Sequence, residues 1–185
     1  MERCSWCLKD SLYMDYHDKE WGLPLRDETK LFEMLILESM QAGLSWYTVL
    51  KKRPAMEKAF FHFNPQKLAN LTEEQLTELL NNEGIIRNRL KIKSVQTNAK
   101  AFLKVAAREN IIEYFWQFTK GQTLQNKRSS LKEVPAVTEE SIALAKQLKK
   151  DGFSFLGPTT CYAFMQATGM VNDHLVNCFR HKELA

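Results

Sequence analysis

The sequence predicts an all-α fold. Apolar residues recur at helical spacing in several segments between residues 28 and 150, and none of these segments has the strict alternation of a half-buried strand. Capping residues precede the segments, and cations, glycine or proline follow them, as at helix ends. The chain has 185 residues, of which 44% are apolar, enough to bury one core. We therefore expect one helical unit over residues 1–185.

Two helices are predicted in the first third of the chain. Residues 28–39 are apolar at positions 31, 32, 34, 35, 36 and 37, too continuous for a surface helix and typical of a buried one. A second apolar segment follows Gly43 and ends in three cations at 51–53, which suit the negative end of a helix dipole. Pro54 lacks a backbone N–H and is expected to stop this helix.

The later helices follow from capping residues and period. Thr72 and Gln75 have the spacing of a capping box, in which each side chain accepts a hydrogen bond from the other residue's backbone N–H. The polar stretch 121–133 has no helical period and is expected to be the least ordered part of the chain. The predicted helices are 72–80, a long one after Gly84 to about residue 107, 111–118, and one from Thr138 to Lys150 with Gly152 beyond it.

Composition limits the class of protein. The first twenty residues are charged and contain no long apolar run, so we expect no signal peptide, and no stretch approaches the roughly 18 apolar residues of a membrane span. We expect a monomer in the cytoplasm without a membrane partner. Its four cysteines should then be thiols or metal ligands rather than disulfides. A net charge of +4 permits nucleic-acid binding but does not indicate it.

Cysteine and histidine residues concentrate at the two ends of the chain. His174 and Cys178 are four residues apart, which on a helix would place both on one face. Cys4 with His17, or Cys4 with Cys7, would complete a four-ligand set of the kind that binds structural zinc and would fasten the two ends together. Spacing does not choose between these sets. The alternative is that they are ordinary buried cysteines and surface histidines.

Aromatic side chains crowd the N-terminal region, and an acidic residue lies among apolar neighbours nearby. A hydrophobic core would explain any single aromatic residue. Glu38, however, lies within the apolar helix 28–39, where an unpaired charge is costly. A flat cationic or amine-bearing ligand would meet both features, because ring faces attract cations and a carboxylate accepts N–H bonds. The aromatic residues are Trp6, Tyr13, Tyr16, Trp21 and Trp46.

Six segments, in order along the whole chain, carry a further pattern. They are Met-Glu-Arg-Cys (1–4), Tyr-His-Asp-Lys-Glu-Trp-Gly (16–22), Gln-Ala-Gly-Leu-Ser-Trp (41–46), Gly-Ile-Ile-Arg (84–87), Thr-Thr-Cys-Tyr-Ala-Phe-Met-Gln-Ala (159–167) and Val-Asn-Asp-His (171–174). Together they closely resemble the bacterial 3-methyladenine DNA glycosylase I family. The resemblance implies a helix-hairpin-helix DNA glycosylase with a helical lobe at 28–154 and a small zinc lobe formed by 1–27 and 155–185.

The resemblance also implies an activity and a ligand set. The expected reaction is excision of 3-methyladenine from alkylated double-stranded DNA, which releases the free base and leaves an abasic site. One structural zinc ion is expected on Cys4, His17, His174 and Cys178, which selects His17 over Cys7. Glu38 is expected to read the base as an ionised carboxylate and to be the residue on which activity depends. Tyr16 and Trp46 are expected to line its pocket, together with Trp6, Tyr13 and Trp21.

DNA contact is expected at two turns. Gly43 would form a turn that lets Leu44 wedge into the space that the extruded nucleotide leaves. Gly84 would present backbone N–H groups to a phosphate, with Arg87 and the neighbouring cations Arg89, Lys91 and Lys93 adding positive charge. Residues 85–92 contain no acid, although most glycosylases of the wider superfamily carry a catalytic aspartate after the hairpin. The resembled family also lacks that aspartate, and excision of a cationic base needs no proton donor.

Two other classes of protein are alternatives. A non-catalytic, zinc-stapled DNA-binding module would use the aromatic residues as core. A zinc hydrolase would need an open coordination position for water, whereas four protein ligands already fill a tetrahedral site.

Overall fold

The computed structural model describes residues 2–185, so only Met1 of the first family-like segment lies outside it. Helices dominate these residues, which confirms the predicted fold class in its general form. The helices are α1 (Ser11–Lys19), α2 (Glu28–Gln41), α3 (Trp46–Ala59), α4 (Pro65–Ala69), α5 (Glu73–Asn81), α6 (Arg89–Ala106), α7 (Ile111–Trp116), α8 (Glu139–Lys150), α9 (Pro158–Ala167) and α10 (Phe179–Glu183). Short 3-10 turns occupy Ser5–Cys7, Phe61–Phe63, Gln117–Thr119 and Leu131–Glu133.

Helix α2 lies at the centre of the fold. All ten residues from Leu31 to Met40 are buried, as their nearly continuous apolar character predicts. Helices α3, α6, α7 and α9 pack around it. The Asp27 side chain caps its start by accepting a hydrogen bond from the Lys30 N–H. Because α2 is fixed on all sides, any side chain it directs into a cavity is held rigidly.

Helix α3 continues past Pro54, so the prediction that it stops there was wrong. The helix runs from Trp46 to Ala59 with the proline inside it. Pro54 removes one backbone hydrogen bond from the helix interior. Met56 within the helix and Phe60 directly after it are both fully buried, and their packing into the core compensates for the lost bond.

The turn before α6 is longer than the sequence pattern suggested. The capping box of Thr72 and Gln75 starts α5 as predicted. Residues 84–88, however, remain outside helix, and α6 begins only at Arg89. The Asn88 side chain caps α6 by accepting hydrogen bonds from the backbone N–H groups of the second and third helical residues.

The stretch 121–133, expected to be the least ordered, is held by pairing with the C-terminal segment. Strand β1 (Leu124–Gln125) pairs in parallel with strand β2 (Val171–Asn172), and Arg128 forms an isolated bridge with Leu175. Strands of two residues are too short to show alternation, so no sequence pattern predicts them. The pairing brings the segment containing His174 against the middle of the chain.

Buried residues from both predicted lobes belong to one core, which extends from Tyr16 to Val171. A second, smaller cluster contains Cys4, Leu175 and Cys178. The division into lobes therefore stays a prediction. Between residues 2 and 185, no helix combines the length and apolar character needed to cross a membrane.

Candidate active site and metal cluster

A pocket of about 340 Å³ opens beside the N-terminal segment. All six residues predicted for base binding line it: Trp6, Tyr13, Tyr16, Trp21, Glu38 and Trp46. The sequence pattern did not single out the other lining residues, which are Gln41, next to Glu38 on α2, and five that distant segments bring there: Leu131, Val134, Ala163, Gln166 and Asp173. A volume of a few hundred Å³ with aromatic walls suits a small flat ligand.

Two helix starts position the aromatic pair Tyr16 and Trp46. Asp10 caps α1, which carries Tyr16, and Ser45 caps α3, in which Trp46 is the first residue. The ring centroids of Tyr16 and Trp46 lie 5.3 Å apart at an interplanar angle of 44°. Both side chains are buried, and within residues 2–185 no group accepts the indole N–H of Trp46. The pocket therefore combines stacking surface with an available donor.

Glu38 projects from α2 with only 2% of its surface exposed, and no described protein group donates to its Oε2 atom. Burial raises the pKa of this carboxyl group from its ordinary value to about 8. The protein by itself therefore keeps Glu38 mostly protonated at neutral pH, which differs from the expected ionised carboxylate. The sequence shows that the neighbours of Glu38 along the chain are apolar. Only the structure shows that no described residue from another segment places a cation beside its carboxyl group. A cationic ligand would favour the ionised form and reverse the shift.

The Gly43–Leu44 turn lies at the edge of this pocket. It follows Gln41, a lining residue, and its backbone closes through a bond from the Leu44 N–H to the Gln41 carbonyl. Gly43 has φ of +74°, a conformation that side chains disfavour. The Leu44 side chain is 41% exposed at this turn, so it is available for contact with another molecule.

The Gly84 turn is engaged within the protein. The Gly84 N–H donates to the Asn82 side chain at 2.9 Å, and a Cβ atom at Gly84 would lie 3.2 Å from the Ala55 Cβ atom. This glycine therefore permits close packing of the turn against α3. Arg87 remains exposed, with a long 3.4 Å contact to Glu83.

Lys91 does not belong to an exposed cationic face, which corrects the expectation from the sequence. It is 6% exposed, and its ammonium group donates to the carbonyl oxygens of Met40 and Ala42 at the end of α2. A cation at this position satisfies carbonyl groups that a helix end leaves free. Lys91 thus fixes the end of α2 next to the Gly43 turn.

The turn between α8 and α9 is a second helix–turn–helix arrangement that the sequence analysis did not single out as a DNA contact. Asn98 holds it through bonds between its side-chain amide and the backbone of Ser154. Gly157 precedes α9, no side chain caps that helix, and the space where a Cβ atom of Gly157 would lie is open. The first N–H groups of α9 are therefore accessible to an external acceptor.

The four predicted metal ligands meet although they lie at opposite ends of the sequence. The ligand atoms of Cys4, His17, His174 and Cys178 lie within 4.8 Å of one another, and all four side chains are buried. Cys7 is outside the cluster and donates its thiol hydrogen to the Cys4 carbonyl. The expected helix does not carry the last two ligands: His174 precedes a turn that the bond from the Cys178 N–H to the Leu175 carbonyl closes, and Cys178 ends it, before α10 begins.

The distances in the cluster fit a tetrahedral ion. Zinc bonds of about 2.3 Å to sulfur and 2.0–2.1 Å to nitrogen would put ligand atoms roughly 3.4–3.8 Å apart. The Sγ atom of Cys4 lies 3.8 Å from His174 Nδ1, and that of Cys178 lies 3.6 Å from the same nitrogen and 3.5 Å from His17 Nε2. The two ring nitrogens are 3.2 Å apart. Four of the six ligand-atom distances are therefore close to those of a tetrahedral metal site.

Outer hydrogen bonds orient both histidine rings. The Nδ1 atom of His17 lies 2.7 Å from Asp18, which also bonds Arg3, and the Nε2 atom of His174 lies 3.0 Å from the Trp21 carbonyl. Each ring therefore donates from its outer nitrogen and directs a lone pair into the cluster, as metal-binding histidines do.

Burial also prepares the cluster electrostatically. It lowers the pKa of His174 to about 3, so this imidazole is neutral and can act as a ligand. It raises the pKa of the Cys4 thiol to about 12, so a thiolate there needs a nearby cation. A bound divalent ion would supply that charge.

Fold and site define a helical protein whose aromatic pocket contains a buried carboxyl group and suits a flat ligand. A Cys2His2 cluster lies beside this pocket. A family model described as methyladenine glycosylase matches residues 6–181. The chain belongs to the methyladenine glycosylase family, which confirms the resemblance seen in the sequence segments.

Named relatives agree over nearly the whole chain. The DNA-3-methyladenine glycosylase 1 of Escherichia coli K12 is 49% identical over 179 residues, 96% of each chain. The DNA-3-methyladenine glycosylase of Haemophilus influenzae is 49% identical over 177 residues, 95% of this chain and 96% of the relative.

Solved structures share the fold. A crystal structure of a 3-methyladenine DNA glycosylase I matches with a TM-score of 0.95 and 49% identity, over 96% of this chain and 98% of that one. A structure concerned with 3-methyladenine recognition by the Staphylococcus aureus enzyme matches with a TM-score of 0.92 and 36% identity, over 97% and 96%.

Proposed function

We propose that this protein excises 3-methyladenine from alkylated double-stranded DNA by hydrolysing the N-glycosidic bond, which releases the base and leaves an abasic site. The observation that carries the proposal is the pocket: a buried carboxyl group and an indole N–H, neither of which has a hydrogen-bond partner within residues 2–185, beside two aromatic rings. Family membership and the 3-methyladenine complex of a 36% identical structural relative support the choice of base.

Substrate charge explains why little acid catalysis is needed. Adenine methylated at N3 is cationic in DNA, and its glycosidic bond breaks to release a neutral base. No proton need be given to the leaving group. The enzyme's contribution is then to extrude the nucleotide, hold the base and exclude competing contacts with water.

Glu38 provides selectivity for the methylated base. The protein keeps its carboxyl group largely protonated, but a cationic base that packs against Tyr16 and Trp46 favours the ionised carboxylate, which then accepts the base's N–H hydrogen bonds. Neutral adenine supplies no positive charge to compensate for a buried carboxylate. The pocket thus separates damaged from undamaged adenine partly by charge.

DNA contact is proposed at three places around this pocket. Leu44, exposed after the Gly43 turn, wedges into the duplex. Arg87 contributes a phosphate contact. The backbone donors of the helix-hairpin-helix come from the α8–α9 turn, since the Gly84 N–H is already bonded to Asn82. Gly84 supports Arg87 by allowing its turn to pack on α3.

One zinc ion is proposed on Cys4, His17, His174 and Cys178. The four ligands are protein side chains with tetrahedral spacing, so the ion would serve to join the chain ends rather than to activate water. The residues that would hold it come from the proposed terminal lobe, 1–27 and 155–185. A monomer in the cytoplasm remains part of the proposal, and size-exclusion chromatography tests the oligomeric state.

The experiment is incubation of the protein with methylated duplex DNA, followed by chromatography of released bases. Free 3-methyladenine without free 7-methylguanine is expected, and the abasic sites should equal the released base. Leu44→Ala, which leaves the pocket intact, should bind free 3-methyladenine normally but excise it more slowly from duplex DNA. Absence of base release by the folded wild-type protein would refute the proposal.

A further inference from the structure

The 3-10 turn at Leu131–Glu133 supplies a pocket residue for which base binding gives no role. Leu131 lines the same pocket as Glu38, yet it is 40% exposed. Residues deep in this pocket are nearly inaccessible, since Glu38 is 2% exposed and Tyr16 is 3% exposed. A lining residue as exposed as Leu131 therefore lies at the mouth of the pocket, where the pocket meets solvent.

The turn that carries Leu131 is rigidly built. The Glu133 carboxylate accepts hydrogen bonds from the Ser129 N–H at 2.9 Å and from the Ser130 hydroxyl at 3.1 Å. Directly after the turn, the half-buried Val134 packs against the main core. Leu131 is thus held in place before any ligand arrives, so its contact with a ligand costs little conformational entropy.

Leu44 is an exposed leucine that occupies a different position. Its exposure of 41% nearly equals that of Leu131, but it is not among the described residues that line the pocket. Leu44 lies beyond Gln41, outside the pocket edge, where a wedge would enter the duplex. Because Leu131 lies at the mouth itself, it is placed to contact what passes into the pocket.

The group that occupies the mouth is the sugar of the extruded nucleotide. A base that reaches Glu38 stays attached to its deoxyribose until the glycosidic bond breaks, and a pocket of this size holds little more than the base. The C–H groups of deoxyribose are apolar, and burying them against leucine methyl groups is favourable. Lys127 and Lys132, both exposed on this segment, add positive charge that suits the adjoining phosphates.

We propose that Leu131 packs against the deoxyribose of the extruded nucleotide and holds the base against Glu38 until the bond breaks. The assignment rests on the proposed glycosylase function. Leu131 contacts the nucleotide alone, so its contribution does not depend on the partner strand. Free base lacks the sugar and gains nothing from Leu131. Leu44, in contrast, acts on the duplex that the nucleotide leaves.

The test compares Leu131→Ala with Leu44→Ala on methylated poly(dA), either single-stranded or annealed to poly(dT). Chromatography measures the single-turnover release of 3-methyladenine. Leu131→Ala should slow release from both substrates about tenfold, which corresponds to about 1.4 kcal/mol and to the burial of part of a leucine side chain. Its affinity for free 3-methyladenine should stay within about twofold of the wild-type value. Leu44→Ala should slow release mainly from the duplex.

Three variants serve as controls. Leu131→Met keeps an apolar side chain of similar volume and should restore release to within about threefold of the wild-type rate. Val137→Ala truncates another exposed apolar side chain, outside the pocket, and should leave release unchanged. Val134→Ala removes core packing and should lower the melting temperature, whereas Leu131→Ala should not.

Three outcomes of the release assay would overturn the assignment. Unchanged release by Leu131→Ala would show that the side chain does not contact the nucleotide. A loss confined to the duplex would make Leu131 a second wedge, and an equal loss of affinity for free base would make it part of the base-binding wall.

A binding assay replaces release from the single strand if the wild-type protein does not act on that substrate. Its probe is a single strand that carries one tetrahydrofuran abasic sugar. Leu131→Ala should bind this strand about tenfold more weakly, as expected for loss of the sugar contact. Unchanged affinity would overturn the assignment. Release from duplex DNA by the wild-type protein tests the proposed function separately.

Discussion

Replacing Glu38 with glutamine is expected to stabilise the ligand-free protein while weakening its ligand binding. The carboxyl group has an ordinary pKa of 4.5, and burial raises it to about 8. Between these values the unfolded chain releases its proton while the folded protein keeps it. The wild-type protein therefore loses stability as pH rises through this window, since folding requires proton uptake. Glutamine has nearly the same shape and does not titrate.

The size of the effect follows from the shift. Each pKa unit corresponds to about 1.4 kcal/mol, so the difference of roughly 3.5 units sets an upper limit of about 5 kcal/mol above pH 8. Below pH 4.5 the two proteins should be nearly equal, because Glu38 is protonated in both states. Urea unfolding of both proteins between pH 5 and 8.5 should show the free energy of unfolding of Glu38→Gln exceeding the wild-type value by an amount that grows with pH.

Glu33 provides the matched control on the same helix. It is 4% exposed, but its carboxylate pairs with Arg53 at 2.9 Å and with Lys30 at 2.8 Å. Glu33→Gln should lower the stability, because it leaves the largely buried Arg53 with one partner fewer. A stability difference for Glu38→Gln that stays constant over this pH range, or that shrinks as pH rises, would show that the carboxyl group is not held protonated by burial.

Three further predictions concern the base, the metal and DNA. Glu38→Gln should bind free 3-methyladenine about tenfold to a hundredfold more weakly, as expected for loss of a charge-assisted hydrogen bond of roughly 1.5–3 kcal/mol; tryptophan fluorescence measures the affinity, and an unchanged value would remove Glu38 from the base site. Cys178→Ser should lower the zinc content and the melting temperature together, whereas Cys7→Ser should retain one zinc per chain; loss of zinc from the Cys7 variant would contradict the ligand set. Arg87→Ala should weaken duplex binding without changing the affinity for free base. A parallel loss of both affinities would show that Arg87 supports the fold rather than DNA contact. Gly84→Val is a less specific variant, because its side chain would crowd the turn itself.

Local patterns predict six of the ten helices that the structure describes, whereas the shorter helices α1, α4, α9 and α10 were not predicted. The capping boxes at Thr72 and Thr138 and the apolar run of α2 depend on neighbouring residues only. Features that depend on distant packing were not predictable. Pro54 stays inside a helix because Met56 and Phe60 after it are buried in the core, and β1 pairs with a strand 47 positions away. No local pattern records either constraint.

The candidate site shows the same division between local and distant information. Residue type and position in the sequence identified Glu38 and the aromatic cluster, and the family-like segments selected His17 over Cys7. The protonation of Glu38 was not predictable, since it depends on whether the surrounding helices supply a hydrogen-bond donor or a cation to its carboxyl group. The burial of Lys91 and the place of Asp173 likewise depend on contacts with α2 and α9, which the one-dimensional pattern does not contain.

The Cys2His2 cluster and the aromatic pocket share a wall, so an ion bound at the cluster would influence base recognition as well as stability. Trp6 and Trp21 line the pocket, and their rings meet edge to face at 5.0 Å. Trp21 also packs against the His174 ring at 4.5 Å, and Trp6 packs against the His17 ring at 5.3 Å. An ion that fixes both imidazole rings would therefore also hold in place the two indole rings that pack against them. Zinc at this cluster would then have a second role beside stability, because the same four bonds would preorganise one side of the pocket before the base enters it.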